Sequence, residues 1–171
     1  MLGGAVTAVV AIRFFEPAAK AAKTINVHVS FPVFIRIAYG WLLIAASLSI
    51  WASLAGEAPG IWGASRHALT VGFIAAMVFS VGQRILPSFC GMRVLWSTKL
   101  MLVMLVLLMT GCTLRVTSEI LAYQNYAAWA WNVLPISALI ELAAVTLFAV
   151  NLIVTFLRPP IAVTPLSMTT E

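Results

Sequence analysis

Residues 37–55 read IAYGWLLIAASLSIWASLA, nineteen consecutive positions without a charged side chain. An α-helix rises about 1.5 Å per residue, so this stretch is about 28 Å long and matches the hydrocarbon core of a bilayer, which is roughly 30 Å thick. Three later stretches are similarly long and apolar: residues 67–86, 98–123 and 133–157. The sequence therefore predicts an all-α fold, a polytopic transmembrane helical bundle with four spans.

The composition of the whole chain supports a membrane environment. Apolar residues make up 63% of the 171 positions and charged residues 9%, whereas a soluble domain is about a quarter charged. Ten Lys and Arg stand against five Glu, and they sit at the ends of the apolar stretches. This placement indicates membrane orientation and argues against a nucleic-acid partner, so the expected surroundings are the lipid bilayer.

The remaining segments are short, and we interpret the whole chain as one membrane domain. Residues 1–12 are apolar but span only about 18 Å as a helix, too little to cross the bilayer alone. Residues 13–32 are broken by charges and Pro17 and predict a cytoplasmic linker. Residues 158–171 predict a cytoplasmic tail.

The basic residues orient the predicted bundle. With four spans, the linker, the loop between the second and third spans, and the C-terminal tail lie on one side, which the positive-inside rule makes cytoplasmic. That side holds Arg13, Lys20, Lys23, Arg36, Arg84, Arg93, Lys99 and Arg158, against Arg66 and Arg115 on the other. Aromatic residues typical of a membrane interface gather at the opposite ends of the spans: Trp51, Trp62, Tyr123, Tyr126, Trp129 and Trp131.

Ionisable residues inside the spans are costly in hydrocarbon and point either to pairing or to a functional site. Arg66 and His67 begin the second span, and Arg115 and Glu119 lie one turn apart near the end of the third. Because these spans are antiparallel neighbours, the four residues are expected at the same, non-cytoplasmic level. The structural alternative is an Arg115–Glu119 salt bridge within one helix.

Three further features have both structural and functional interpretations. Glu141 lies about 12 Å into the predicted fourth span, where it is protonated, partnered by another helix, or part of a proton or substrate path. His67 is either a hydrogen-bonded structural residue or a haem or copper ligand. The second span also carries small residues at every fourth position, suited to packing within the chain, a second subunit or a flat cofactor: Ala64, Ala68, Gly72, Ala76 and Ser80.

Several motifs resemble those of the NnrS family of bacterial membrane proteins. They are FIRIAYGWLL at residues 34–43, HALTVGF at 67–73, GQRILPSFCGMRVLW at 82–96 and GCTLRVTSEILAYQ at 111–124. The resemblance covers only the C-terminal half of the family pattern, without its His-rich N-terminal motif. It implies haem and copper binding, a role in nitric oxide stress and a place in the bacterial cytoplasmic membrane. His67 is the implied metal ligand; Arg84, Gly91, Arg93, Arg115 and Glu119 are motif residues.

Two functions follow as hypotheses. The first is a haem-associated component of nitric oxide or respiratory redox metabolism, with His67 as the ligand and Arg66, Arg115 and Glu119 around the cofactor. The second is a non-catalytic transmembrane subunit that stabilises a larger respiratory or photosynthetic complex. Two histidines and two separated cysteines do not supply a complete copper or zinc site of the usual kind. We therefore do not expect an enzyme that works alone.

Overall fold

The computed structural model describes residues 2–11, 28–56, 59–90 and 95–159, and within these ranges the chain is helical apart from short turns. The helices follow in this order: α1 (Leu2–Ala11), α2 (Phe31–Leu54), α3 (Pro59–His67), a π-helical segment (Ala68–Ala75), α4 (Ala76–Phe89), α5 (Thr98–Tyr123) and α6 (Ala130–Leu157). The predicted linker up to residue 27, the motif residues Gly91 and Arg93, and the tail from residue 160 lie outside the described residues.

Four helical stretches are long and apolar enough to cross a membrane: Phe31–Leu54, Gly60–Phe89, Thr98–Tyr123 and Ala130–Leu157. The predicted all-α fold with four spans is therefore confirmed. We call the end where α2 and α5 begin the basic end, defined by Arg36, Arg84, Lys99 and Arg158. The opposite end is the aromatic end, defined by Trp51, Trp62, Tyr123 and Trp131.

The second span is longer than predicted at both ends. It begins at Pro59, eight residues before His67, because proline fits the first turn of a helix and small residues follow it. It also continues through Pro87 to Phe89. Pro87 removes only the backbone hydrogen bond to the carbonyl of Gln83, and so close to the helix end this loss does not stop the helix.

A π-helical segment occupies the middle of this span. It covers Ala68–Ala75 and begins directly after His67, so it coincides with the HALTVGF motif. π-Helical turns widen the backbone locally and occur frequently at functional sites. The segment therefore places His67 at the junction between two helical geometries.

The small residues of the second span pack inside the chain. Ala64, Ala68, Ala76 and Ser80 are almost completely buried. A Cβ atom at Gly72 would lie 2.5 Å from Cγ of Trp41 on α2, so the indole ring fills the space beside the glycine. Of the interpretations left open for this stripe, packing within the chain is the one that the structure shows.

At the basic end, polar side chains join α6 to α4 and to the residues just before α5. Asn151 on α6 donates from Nδ2 to Oε1 of Gln83 on α4 (2.8 Å) and accepts at Oδ1 from the backbone N–H of Ser97 (3.1 Å). Thr155, one turn further on, accepts a hydrogen bond from the N–H of Trp96. Because the side chains of Gln83, Asn151 and Thr155 are buried and hydrogen-bonded, they fix the position of α6 against its neighbours.

Candidate functional site

A charged cluster lies where α3, α5 and α6 meet, toward the aromatic end. It consists of His67 from α3, Arg115 and Glu119 from α5, and Glu141 from α6. Glu119 and His67 are in contact, and both His67 and Arg115 lie within electrostatic range of Glu141. The structure thus brings together three of the four predicted site residues and adds Glu141.

The hydrogen bonds of His67 define which ring nitrogen is free. Its Nδ1 lies 3.2 Å from the backbone oxygen of Gly63 and 3.1 Å from Oε2 of Glu119. Because a carbonyl oxygen only accepts hydrogen bonds, Nδ1 carries the hydrogen, and a neutral ring then has its lone pair on Nε2. Within the described residues Nε2 has no hydrogen-bond partner, and the side chain is 31% exposed. In its neutral form the ring therefore has a nitrogen lone pair that no described residue uses.

Glycines on α3 allow the Glu119 carboxylate to reach this position. A Cβ atom at Gly63 would overlap Oε1 of Glu119 and lie 2.7 Å from its Cδ. At Gly60, one turn earlier, a Cβ atom would overlap the Cβ of Tyr123 and lie 3.1 Å from the backbone oxygen of Glu119. The close approach of α3 and α5 thus depends on these two glycines, whose role sequence reasoning missed.

The structural alternative, a salt bridge between Arg115 and Glu119 within α5, is not what the described residues show. Arg115 turns to α6 instead, where its Nη1 donates to the backbone oxygen of Leu134 (3.3 Å), while Glu119 turns to His67 on α3. Because α5 is packed between two other helices at this level, each of its charged side chains finds a neighbour outside its own helix. Both side chains therefore contact a different helix, Arg115 contacting α6 and Glu119 contacting α3.

Arg66 does not join the cluster. Its side chain is exposed, although its backbone oxygen accepts a hydrogen bond from Thr70 (2.8 Å). One position along a helix turns a side chain by about 100°, so the residue beside His67 points away from α5. Of the predicted site residues, this is the one that the structure separates from the others.

Glu141 packs directly against α5. A Cβ atom at Gly111 would lie 2.7 Å from Cγ of Glu141 and 3.3 Å from its backbone nitrogen, so the glycine makes room for the acidic side chain. α5 and α6 form an antiparallel pair joined by a tight turn, which places residues equally far from the turn side by side. The sequence therefore shows that Gly111 and Glu141 share one depth, whereas their direct contact depends on the rotation of each helix about its axis.

Two buried polar atoms of the cluster lack hydrogen-bond partners within the described residues. They are Nε of Arg115 and Oε1 of Glu141, and Oε2 of Glu119 has only its contact with Nδ1 of His67. Buried polar groups are normally satisfied, and an unpaired one costs about 1–3 kcal/mol. The cluster therefore has hydrogen-bonding capacity beyond what its own side chains use.

The side chains of the cluster fit a metal site in which one histidine is the protein ligand. No group of three or more His, Cys, Asp or Glu suited to a metal ion occurs among residues 2–11, 28–56, 59–90 and 95–159. Haem iron, in contrast, takes one histidine as its only protein ligand in many proteins. Ligating histidines typically donate their other ring nitrogen to a carboxylate or a backbone carbonyl, as His67 does toward Glu119 and Gly63.

Comparison with known proteins identifies the family. The model of a domain of unknown function, DUF8744, matches residues 1–156, and the chain belongs to this family. No curated protein and no solved structure matches the chain. The resemblance to the NnrS family and the metal ligands that it implies remain predictions.

Proposed function

We propose that this DUF8744 protein is a haem-associated component of nitric oxide or respiratory redox metabolism, in which Nε2 of His67 would hold the iron. One observation carries the proposal: Nδ1 of His67 contacts Glu119 and Gly63, so in the neutral ring the lone pair on Nε2 is left for a ligand. The NnrS-like motifs around His67 and Glu119 suggest the metabolic context and the bacterial cytoplasmic membrane, with the basic end cytoplasmic.

Each residue of the cluster has a distinct part in this proposal. His67 would hold the iron, and Glu119 would fix the orientation of its ring. Arg115 places a positive charge near the carboxyl groups, which offsets negative charge in a medium of low dielectric constant. Haem, when bound, would supply one-electron chemistry at iron.

Visible spectroscopy tests the proposed ligand. Haemin is added to the purified chain in mild detergent, and the Soret band is recorded for the wild type, for His67→Ala and for His28→Ala. His28 is the matched control, because it is the other histidine of the chain and bonds locally to Ser30 at 2.7 Å. We expect His28→Ala to keep the band and His67→Ala to lose it while circular dichroism shows both variants folded. A Soret band that is unchanged in His67→Ala would remove His67 from the site.

A second candidate is a non-catalytic subunit of a larger respiratory or photosynthetic membrane complex. The observation that favours it is the exposure of α6, where only 11% of the most apolar window is buried within the chain, against 28–39% in the other spans. The rest of that surface meets lipid or another membrane protein. Co-purification in mild detergent separates the two functions: a chain that is stable and monomeric by itself counts against the subunit.

A further inference from the structure

We propose that Glu141 carries an exchangeable proton inside the membrane. The inference goes beyond haem binding, because it requires only the side chains of the chain itself. It rests on the depth of Glu141, on its packing against Gly111 and on the missing hydrogen-bond partner of its carboxyl group.

The depth of Glu141 makes an uncompensated charge costly. It is the twelfth residue of α6, which begins at Ala130, so it lies about 16 Å along a helix of about 42 Å. This position is near the middle of the membrane-spanning stretch. A charged side chain at such a depth costs several kcal/mol unless another group pairs with it.

The immediate surroundings provide no hydrogen-bond donor for one carboxyl oxygen. Oε1 of Glu141 is buried and lacks a partner within the described residues. The groups near it on α5 are Gly111, which makes room for its Cγ, and the thiol of Cys112; Arg115 on α5 and His67 on α3 lie within electrostatic range. A proton on the carboxyl group removes the charge that these surroundings leave unpaired.

Helix α4 adds no charge near Glu141. Its contacts with α6 include the stacked rings of Phe79 and Phe148, 4.3 Å apart, and the hydrogen bond between Gln83 and Asn151. Both contacts lie two turns or more from Glu141 toward the basic end. The charge balance at Glu141 is therefore decided by α3 and α5.

Glu119 has a contact that Glu141 lacks. Oε2 of Glu119 lies 3.1 Å from Nδ1 of His67, whereas Oε1 of Glu141 has no hydrogen-bond partner within the described residues. Of the two carboxyl groups, Glu119 is therefore the better carboxylate, and the proton is assigned to Glu141.

This arrangement makes Glu141 a proton donor and acceptor. When it releases its proton, the O–H bond breaks, the bonding electrons stay on the oxygen, and the proton passes to a water molecule. Arg115, which lies within electrostatic range, stabilises the carboxylate that is left. The bundle thereby holds one transferable proton near the middle of the membrane.

Infrared spectroscopy tests the assignment in the full chain, reconstituted in lipid without haem. The wild-type spectrum is compared with those of Glu141→Gln and of the matched variant Glu119→Gln, in H₂O and in D₂O. We expect a protonated-carboxyl C=O band that shifts in D₂O, disappears in Glu141→Gln and persists in Glu119→Gln. A carboxylate band lost in Glu141→Gln, or a C=O band insensitive to D₂O, would overturn the proposal.

A second measurement covers the case in which Glu141→Gln does not fold. Dicyclohexylcarbodiimide is apolar and reacts with protonated carboxyl groups in membranes, so wild-type protein is treated and its peptides are analysed by mass spectrometry. An adduct on the peptide containing Glu141 supports the proposal, and an adduct confined to other glutamates contradicts it. Neither readout uses haem, so a failed Soret test and a failed proton assignment are distinguishable.

Discussion

Replacing Gly63 by alanine is expected to separate Glu119 from His67. The new Cβ atom would lie 2.7 Å from Cδ of Glu119, whereas non-bonded carbons favour about 3.5–4.0 Å. The carboxylate must therefore retreat by about 1 Å. The distance from Nδ1 of His67 to Oε2, now 3.1 Å, would then reach about 4 Å, too far for a hydrogen bond.

Two opposing contributions determine how much the unfolding free energy of Gly63→Ala changes. Glu119 ends in a movable carboxylate, so the overlap with Gly63→Ala is relieved by its displacement, and the main cost is the unpaired carboxylate. Leaving a buried polar group unpaired costs about 1–3 kcal/mol. Alanine in place of glycine returns about 0.5–1 kcal/mol inside a helix. The variant should therefore lose about 0–2.5 kcal/mol of unfolding free energy.

Reversible unfolding in mixed micelles, followed by circular dichroism, measures this loss. Gly82→Ala is the matched control on the same span, because the nearest side-chain atoms, in Leu86 and Phe148, lie 3.7 and 3.8 Å from its Cβ position. We expect Gly82→Ala to be as stable as the wild type or about 0.5–1 kcal/mol more stable. If Gly63→Ala proves no less stable than Gly82→Ala, the described contact between α3 and α5 is refuted.

Two further substitutions probe the packing of the bundle in the same unfolding assay. Gly72→Ala pushes a methyl group into the ring of Trp41 and should cost about 1–3 kcal/mol, and an unchanged stability would contradict the close packing of α2 on the π-helical segment. Asn151→Leu leaves Oε1 of Gln83 and the N–H of Ser97 without their partner and should cost about 2–4 kcal/mol. Faster amide exchange at Ser97 should accompany this loss, and exchange at the wild-type rate would contradict the assigned hydrogen bond.

The spans were predictable because hydropathy depends on local composition alone. Residues 98–123 coincide with α5, since Ser97 is a good N-cap and its Oγ accepts from the N–H of Leu100. The second span begins earlier than predicted, because the charge of Arg66 was taken as the boundary of the apolar stretch. Its side chain is exposed, and an exposed cation near a helix end is compatible with a membrane span.

The sequence was sufficient to predict the depth of the site residues in the membrane, but not the residues that each of them contacts. The antiparallel order of the second and third spans correctly suggested that His67 and Glu119 lie at one depth. Which helix Arg115 faces depends on the rotation of α5 about its axis, and its sequence, apolar on nearly all sides, does not define that rotation. For the same reason the contact between Gly111 and Glu141 appeared only in the structure.

Haemin affinity of the wild type, His67→Ala and Glu119→Gln, measured by Soret titration in detergent, tests the central claim most directly. The claim is that His67 binds iron through Nε2 while Glu119 holds its ring. Loss of a group that orients a ligating histidine typically lowers metal affinity by about 10–100-fold. We therefore predict no saturable binding by His67→Ala and affinity reduced by about 10–100-fold in Glu119→Gln. Wild-type affinity in either variant would contradict the claim.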